Sequence, residues 1–112
     1  MKKIYHLKTC DTCRRMLKEM DITSYTLQEI KTKPITAKQL DELYKLTNSY
    51  EVLFSRRAKK YKQMDLKSQV LTEKDYRQLI LDEYTFLKRP VIINNNEVYV
   101  GNTKKRVDVL NI

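Results

Sequence analysis

The sequence predicts an α/β fold built on a mixed sheet, with elements in the order βαβ, a block of helices, then ββα. Three observations carry that expectation. A short apolar run at residues 2–7 leads through a pair of cysteines into a helical apolar stripe, and then into an alternating segment rich in strand formers. The middle of the chain, about residues 35–86, reads as helical. Two further strand segments follow, residues 90–93 and 97–100, with a turn between them.

Each element has its own justification. Residues 2–7, Lys-Lys-Ile-Tyr-His-Leu, form the first strand. Cys13, Met16, Leu17 and Met20 recur at the spacing of one helix face. Ser24–Gln28 alternates and forms the second strand. A strand–helix–strand unit this short implies a crossover that makes its strands parallel. Thr36 with Gln39 makes a capping box, with Ile35 before it as a hydrophobic staple. Leu40, Leu43 and Tyr44 then mark the buried stripe of that helix. A further helix is expected over Arg56–Met64, and Thr72 with Asp75 repeats the cap ahead of Tyr76, Leu79 and Ile80. Asn94-Asn95-Asn96 supplies the hairpin turn, because asparagine tolerates left-handed dihedrals. A last helix is expected from Thr103, with Val107 and Leu110 facing inward. The order resembles the thioredoxin-like arrangement. On that reading residues 1–112 are a single domain, with about 35–86 as a helical insertion.

Composition excludes several classes. The chain has 112 residues, 41% of them hydrophobic, enough for a core without disulfide or metal support. No apolar run is long enough to span a membrane, and the N-terminus turns polar too early for a signal peptide. A cytoplasmic location and no membrane partner are therefore expected. Only one glycine is present, Gly101, which removes the P-loop and the GxGxxG turn. The 23 basic and 14 acidic residues leave a net charge of +9, which attracts anionic partners. Charge alone is weak ground for nucleic-acid binding, which is not expected.

Chemistry concentrates at Cys10-Asp11-Thr12-Cys13, which holds the only two cysteines. At a strand-to-helix junction, unpaired N–H groups and the helix dipole stabilise a thiolate, the reactive form of cysteine. Lys8, Arg14 and Arg15 add positive charge nearby, while Asp11 opposes it. Cys10 is expected to be the exposed, attacking sulfur. Cys13, one turn in on the apolar stripe, suits a resolving role, so the pair would form a reversible disulfide. A buried structural cysteine at Cys13 is the plainer alternative. Tetrahedral zinc needs four ligands, and His6 is the sole histidine, so no metal is expected.

Two other segments bear on the site. Leu87-Lys88-Arg89-Pro90-Val91-Ile92 reads either as an edge-strand proline after a solvated arginine, or as a part of the cysteine site. The thioredoxin-like resemblance implies the second, with Pro90 cis and facing the cysteine loop and Arg89 able to bind an oxyanion bidentately. Between residues 56 and 62 stand five basic side chains, Arg56, Arg57, Lys59, Lys60 and Lys62. Such a run is usually a solvated helix face, and it could equally contact phosphates. Lys104-Lys105-Arg106 opens the expected last helix, where the dipole disfavours cations.

Taken together, the stretch from Ile4 through Cys10-Asp11-Thr12-Cys13-Arg14, the segment Ser55-Arg56-Arg57-x-x-x-Tyr61, and Leu87-x-Arg89-Pro90-Val91-Ile92 resemble the ArsC/Spx family along essentially the whole chain. In the arsenate reductase branch, the resemblance implies that Cys10 attacks arsenate, that Arg89 and Arg57 (or Arg56) bind the oxyanion, and that glutathione with glutaredoxin supplies electrons. A third arginine expected after the final strand has no counterpart, Arg106 lying several residues beyond Gly101. In the Spx branch, the resemblance implies that Cys10–Cys13 is a redox switch and that the partner is the C-terminal domain of the RNA polymerase α subunit. Ser49 stands where that branch has a glycine. The expected function is a thiol-dependent oxidoreductase resembling arsenate reductases, acting on a small oxyanion or thiol substrate with no bound cofactor. A redox-sensing transcription regulator is the alternative.

Overall fold

The computed structural model describes residues 1–101; the expected helix from Thr103, and the Lys104–Arg106 cluster on it, lie outside the described residues. The described chain falls into two compact units. One comprises Met1–Lys33 with the chain from Arg89 onward, and the other is Pro34–Lys88.

The first unit is a four-stranded sheet with one helix. Strands β1 (Lys2–His6), β2 (Thr26–Glu29), β3 (Val91–Asn94) and β4 (Glu97–Val100) stand in the order β2-β1-β3-β4. β1 and β2 run parallel through the crossover helix α1 (Asp11–Glu19), as the short βαβ spacing requires. β3 is antiparallel to both β1 and β4. The structure is thus a thioredoxin-like α/β fold with a mixed sheet.

α1 seals one face of this sheet. Ile4 and Ile92 are register partners, and both pack with Met16 and Met20 of α1 in a buried cluster flanked by Leu17, Ile22, Tyr25 and Tyr99. Side chains of a strand alternate between faces, so Tyr5, Val91 and Ile93 point the other way; all three are also buried.

Strand boundaries depart slightly from expectation. Residues 22–25 are taken up by a turn, closed by the Tyr25 N–H on the Ile22 carbonyl at 3.0 Å, so β2 starts at Thr26 and runs through Glu29. The β3–β4 hairpin turns at Asn95, whose φ is 59°. Gly101 follows β4 at φ 78°, where a side chain would be strained, and its N–H donates to the Pro90 carbonyl at 3.0 Å.

The second unit is helical: α2 (Ala37–Thr47), α3 (Lys59–Gln63) and α4 (Glu73–Asp82), with single 3₁₀ turns at Glu51–Leu53, Leu66–Ser68 and Tyr84–Phe86. Both expected capping boxes form, Thr36 with Gln39 and Thr72 with Asp75. Phe54 is its aromatic centre, stacked on Phe86 and tilted against Tyr76, each at 4.9 Å between ring centroids.

Two expectations here are corrected. The helix expected from Arg56 starts only at Lys59, because Ser55 Oγ takes the Arg57 N–H at 3.3 Å and Ala58 is extended. Such a local side-chain bond offers the backbone an alternative to helix. Tyr44 is not part of the buried stripe of α2: it is exposed and stacks on Tyr50 at 4.5 Å, while Leu40 and Leu43 carry the burial. Among the described residues no helix is long and apolar enough to cross a membrane.

Candidate functional site

The site begins where β1 ends. Leu7 to Cys10 form a turn closed by the Cys10 N–H on the Leu7 carbonyl at 3.1 Å. Cys10 is the N-cap of α1, with extended backbone (φ −89°, ψ 114°) and no side-chain capping bond. Helix N-caps are commonly Ser, Thr, Asp or Asn, whose oxygen accepts an N–H of the first turn. A thiolate at this position finds the same donors.

The two sulfurs sit in contrasting surroundings. Cys10 is half-buried and Cys13 is fully buried on the sheet side of α1, and both are free thiols. Burial pushes the Cys10 thiol up, but the Cys13 N–H, the Cys13 side chain, the Arg89 charge and the Thr12 N–H together outweigh it, and its pKa is lowered. Cys13 goes the opposite way. Burial first, then the hydrogen bond and charge of Cys10, hold it up at about 12 against a main-chain hydrogen bond from Leu7 and the Arg89 charge. The arrangement sets a sulfur whose surroundings favour the thiolate beside one whose surroundings favour the thiol, which is the asymmetry thiol–disulfide exchange uses.

Arg89 reaches this site through strand register. Tyr5 faces Val91 across the antiparallel β1–β3 pair, so continuing the register sets Pro90 opposite His6 and Arg89 opposite Leu7. Arg89 thereby arrives at the mouth of the cysteine turn, with its Nε buried. The Arg89–Pro90 peptide is cis. β3 is an interior strand, so Pro90 is not an edge-strand proline. It stands immediately before the strand, where its missing N–H costs no ladder bond.

The remaining candidates are placed as follows. Arg57 is exposed in the Pro34–Lys88 unit, and Arg56 beside it pairs with Glu51 at 2.8 Å. The run from Arg56 to Lys62 is thus only partly helical. Asp11 is exposed at the start of α1 and pairs with Arg14. His6, the last residue of β1, is buried; burial holds its pKa down, with Glu29 opposing and Lys8 assisting. Among the described residues, no group of three or more His, Cys, Asp or Glu side chains could hold a metal ion.

Sequence reasoning passed over Glu29. Its carboxylate accepts the Lys8 N–H at 3.1 Å and, on its other oxygen, the Lys31 and Thr32 N–H groups at 3.1 and 2.9 Å. No spacing signal marks such a residue, since its donors come from two separate loops.

Comparison with known proteins agrees with this fold. The transcriptional regulator Spx of Staphylococcus aureus is 26% identical over 111 residues, covering 96% of this chain and 84% of the relative. Spx 1 of Bacillus cereus is 24% identical over 110 residues, with the same shares covered, 96% and 84%. Among solved structures, the arsenate reductase from Vibrio cholerae has the same fold, with a TM-score of 0.81 at 16% identity over 97% of this chain and 96% of that one. An arsenate reductase (ArsC) related protein from Brucella melitensis gives a TM-score of 0.72 at 25% identity, over 96% and 92% of the two chains. The sequence pattern of the ArsC family matches residues 5–110, a span holding the cysteine turn, the inserted helices and the cis proline strand, and the chain belongs to that family.

Proposed function

We propose that this protein is a thiol–disulfide oxidoreductase resembling arsenate reductases, with Cys10 as the attacking thiolate and Cys13 as the resolving thiol. The observation that carries this reading is the contrast between two neighbouring free sulfurs at the start of α1, Cys10 half-buried at the helix cap with its pKa lowered and Cys13 fully buried with its pKa raised, with one arginine acting on both. A small oxyanion suits a site with a helix N-terminus and a guanidinium. Arg89 is proposed as the anion-binding residue there, and Arg57 carries the same proposed role on the family resemblance.

With arsenate as substrate, the Cys10 sulfur bonds to As(V) and a protonated oxygen leaves as water. Cys13 gives up its proton and attacks Cys10 Sγ. The S–As bond breaks with its electron pair staying on arsenic, now As(III), and the Cys10–Cys13 disulfide forms. Two thiols are oxidised and arsenic is reduced by two electrons. External thiols of the glutathione and glutaredoxin class then return the disulfide to the dithiol.

Arsenate-dependent turnover, coupled to glutathione and glutaredoxin, tests the reading. Turnover is expected in the wild type, lost in Cys10→Ser, and weakened in Arg89→Ala. Full turnover in Cys10→Ser would overturn it.

The two Spx relatives favour a second reading, in which the same dithiol is the redox switch of a transcription regulator that binds the RNA polymerase α C-terminal domain. Retention of that domain by the oxidised chain only, with no arsenate turnover, would select it.

A further inference from the structure

We propose that Glu29 is the positioning residue of the Cys10 loop, its carboxylate holding the turn from which the reactive sulfur projects. The inference rests on the reading of Cys10 as the reactive thiol.

The parallel ladder of β1 and β2 ends at the pair His6 and Glu29, with one last rung where the Ile30 N–H donates to the His6 carbonyl at 2.9 Å. Beyond it β1 leaves the sheet and enters the Leu7–Cys10 turn. In a turn closed from its fourth residue to its first, the N–H of the second residue has no partner within the turn. That residue is Lys8, and Glu29 Oε2 takes its N–H at 3.1 Å. Glu29 Oε1 meanwhile accepts the Lys31 and Thr32 N–H groups at 3.1 and 2.9 Å, and the Thr32 hydroxyl at 3.1 Å. One carboxylate therefore ties the loop carrying Cys10 to the turn that follows β2. Bonds of this kind, to an ionised acceptor, are the stronger sort. Burial raises the Glu29 pKa, but the Lys8, Thr32 and Lys31 N–H groups and the Thr32 hydroxyl outweigh it, which keeps the carboxylate ionised at neutral pH.

The anchor matters because the Cys10 thiolate depends on alignment. Its main-chain donors are the Cys13 and Thr12 N–H groups, and sulfur meets them only while the turn fixes the Cys10 backbone at the mouth of α1. Removing Glu29 has two consequences of opposite sign. Loss of a negative charge favours the thiolate, whereas loss of the anchor lets the turn wander and disfavours it. A positioning role means the second prevails. The other charged groups here do not blur the sign. His6 is held down by burial, and removing Glu29 takes away the charge that opposes this, so His6 gains no positive charge in the variants.

The test is the titration of Cys10 in the reduced full-length chain, read by ultraviolet thiolate absorbance and by iodoacetamide alkylation rate. In Glu29→Ala the Cys10 pKa is expected to rise, and alkylation at pH 7 to slow by about threefold to tenfold. Glu29→Gln, which keeps one acceptor oxygen and the size of the side chain, is expected to move in the same direction by less, and serves where the alanine variant folds poorly. A Cys10 pKa that falls in the variants would assign Glu29 a charge effect and overturn the proposal. A lower melting temperature with Cys10 unmoved would overturn it too, leaving the reactive-thiol reading intact. Absence of preferential Cys10 alkylation in the wild type would overturn both.

Discussion

Cys10 and Cys13 stand one helical turn apart and hydrogen-bond each other, yet their surroundings drive them in opposite directions. The cap position and Arg89 lower Cys10, while burial raises Cys13 to about 12. Each sulfur reinforces the other's displacement, because a proton kept on Cys13 is a donor to the Cys10 thiolate.

Alkylation is therefore expected to be ordered. At pH 8, iodoacetamide should modify Cys10 and leave Cys13 intact in the folded chain, with Cys13 becoming reactive on unfolding. Peptide mass spectrometry after short exposure checks this; equal labelling of both would contradict the contrast. In Cys10→Ser the charge and hydrogen bond that raise Cys13 change, so its titration should move down, while burial still holds it above a free thiol.

Arg89 lowers the pKa of both sulfurs. Arg89→Ala should raise the Cys10 pKa and slow its alkylation at pH 7 by a few-fold. Arg89→Lys should restore part of the rate, since charge returns without the planar fork. Stopped-flow alkylation across a pH series separates the two variants.

In the inserted unit, Arg77 and then Tyr50 hold the Asp41 carboxyl down to about 2. Arg77 contacts it with two nitrogens, at 2.9 and 3.1 Å, and the Tyr50 hydroxyl donates at 2.6 Å. A depressed carboxylate contributes stability above its unfolded pKa of about 3.9, and loses it as pH falls through the folded value. Urea midpoints should fall between pH 4 and pH 2 in the wild type more than in Asp41→Asn. At pH 7 the Asn variant should melt slightly lower.

The capping boxes give a stability prediction free of the site. Thr72→Ala and Thr36→Ala should each cost about 1 kcal/mol in chemical denaturation. Cys10 alkylation should be unaffected by Thr72→Ala, which checks that the loss is confined to the cap.

Much of the fold was legible because its signals are local. Helix caps at Thr36 and Thr72 are read from residues three apart, and the Asn95 turn from a residue type that accepts positive φ. Misreadings arose where a side chain intervened. Ser55 Oγ delays α3, and Tyr44 finds an aromatic partner on the surface in place of a core position.

By itself the sequence determined that two cysteines lie at a strand-to-helix junction, one at the cap and one on the apolar stripe, since both facts depend on neighbouring residues. Only the tertiary structure decided what surrounds those sulfurs. Arg89 comes to them through the antiparallel register of β1 with β3, while Glu29 comes to the Lys8 N–H of the adjoining turn through the parallel register of β1 with β2. Strand pairing joins residues far apart in the chain, and no local pattern encodes which donor a carboxylate, or which acceptor or anion a guanidinium, will find there.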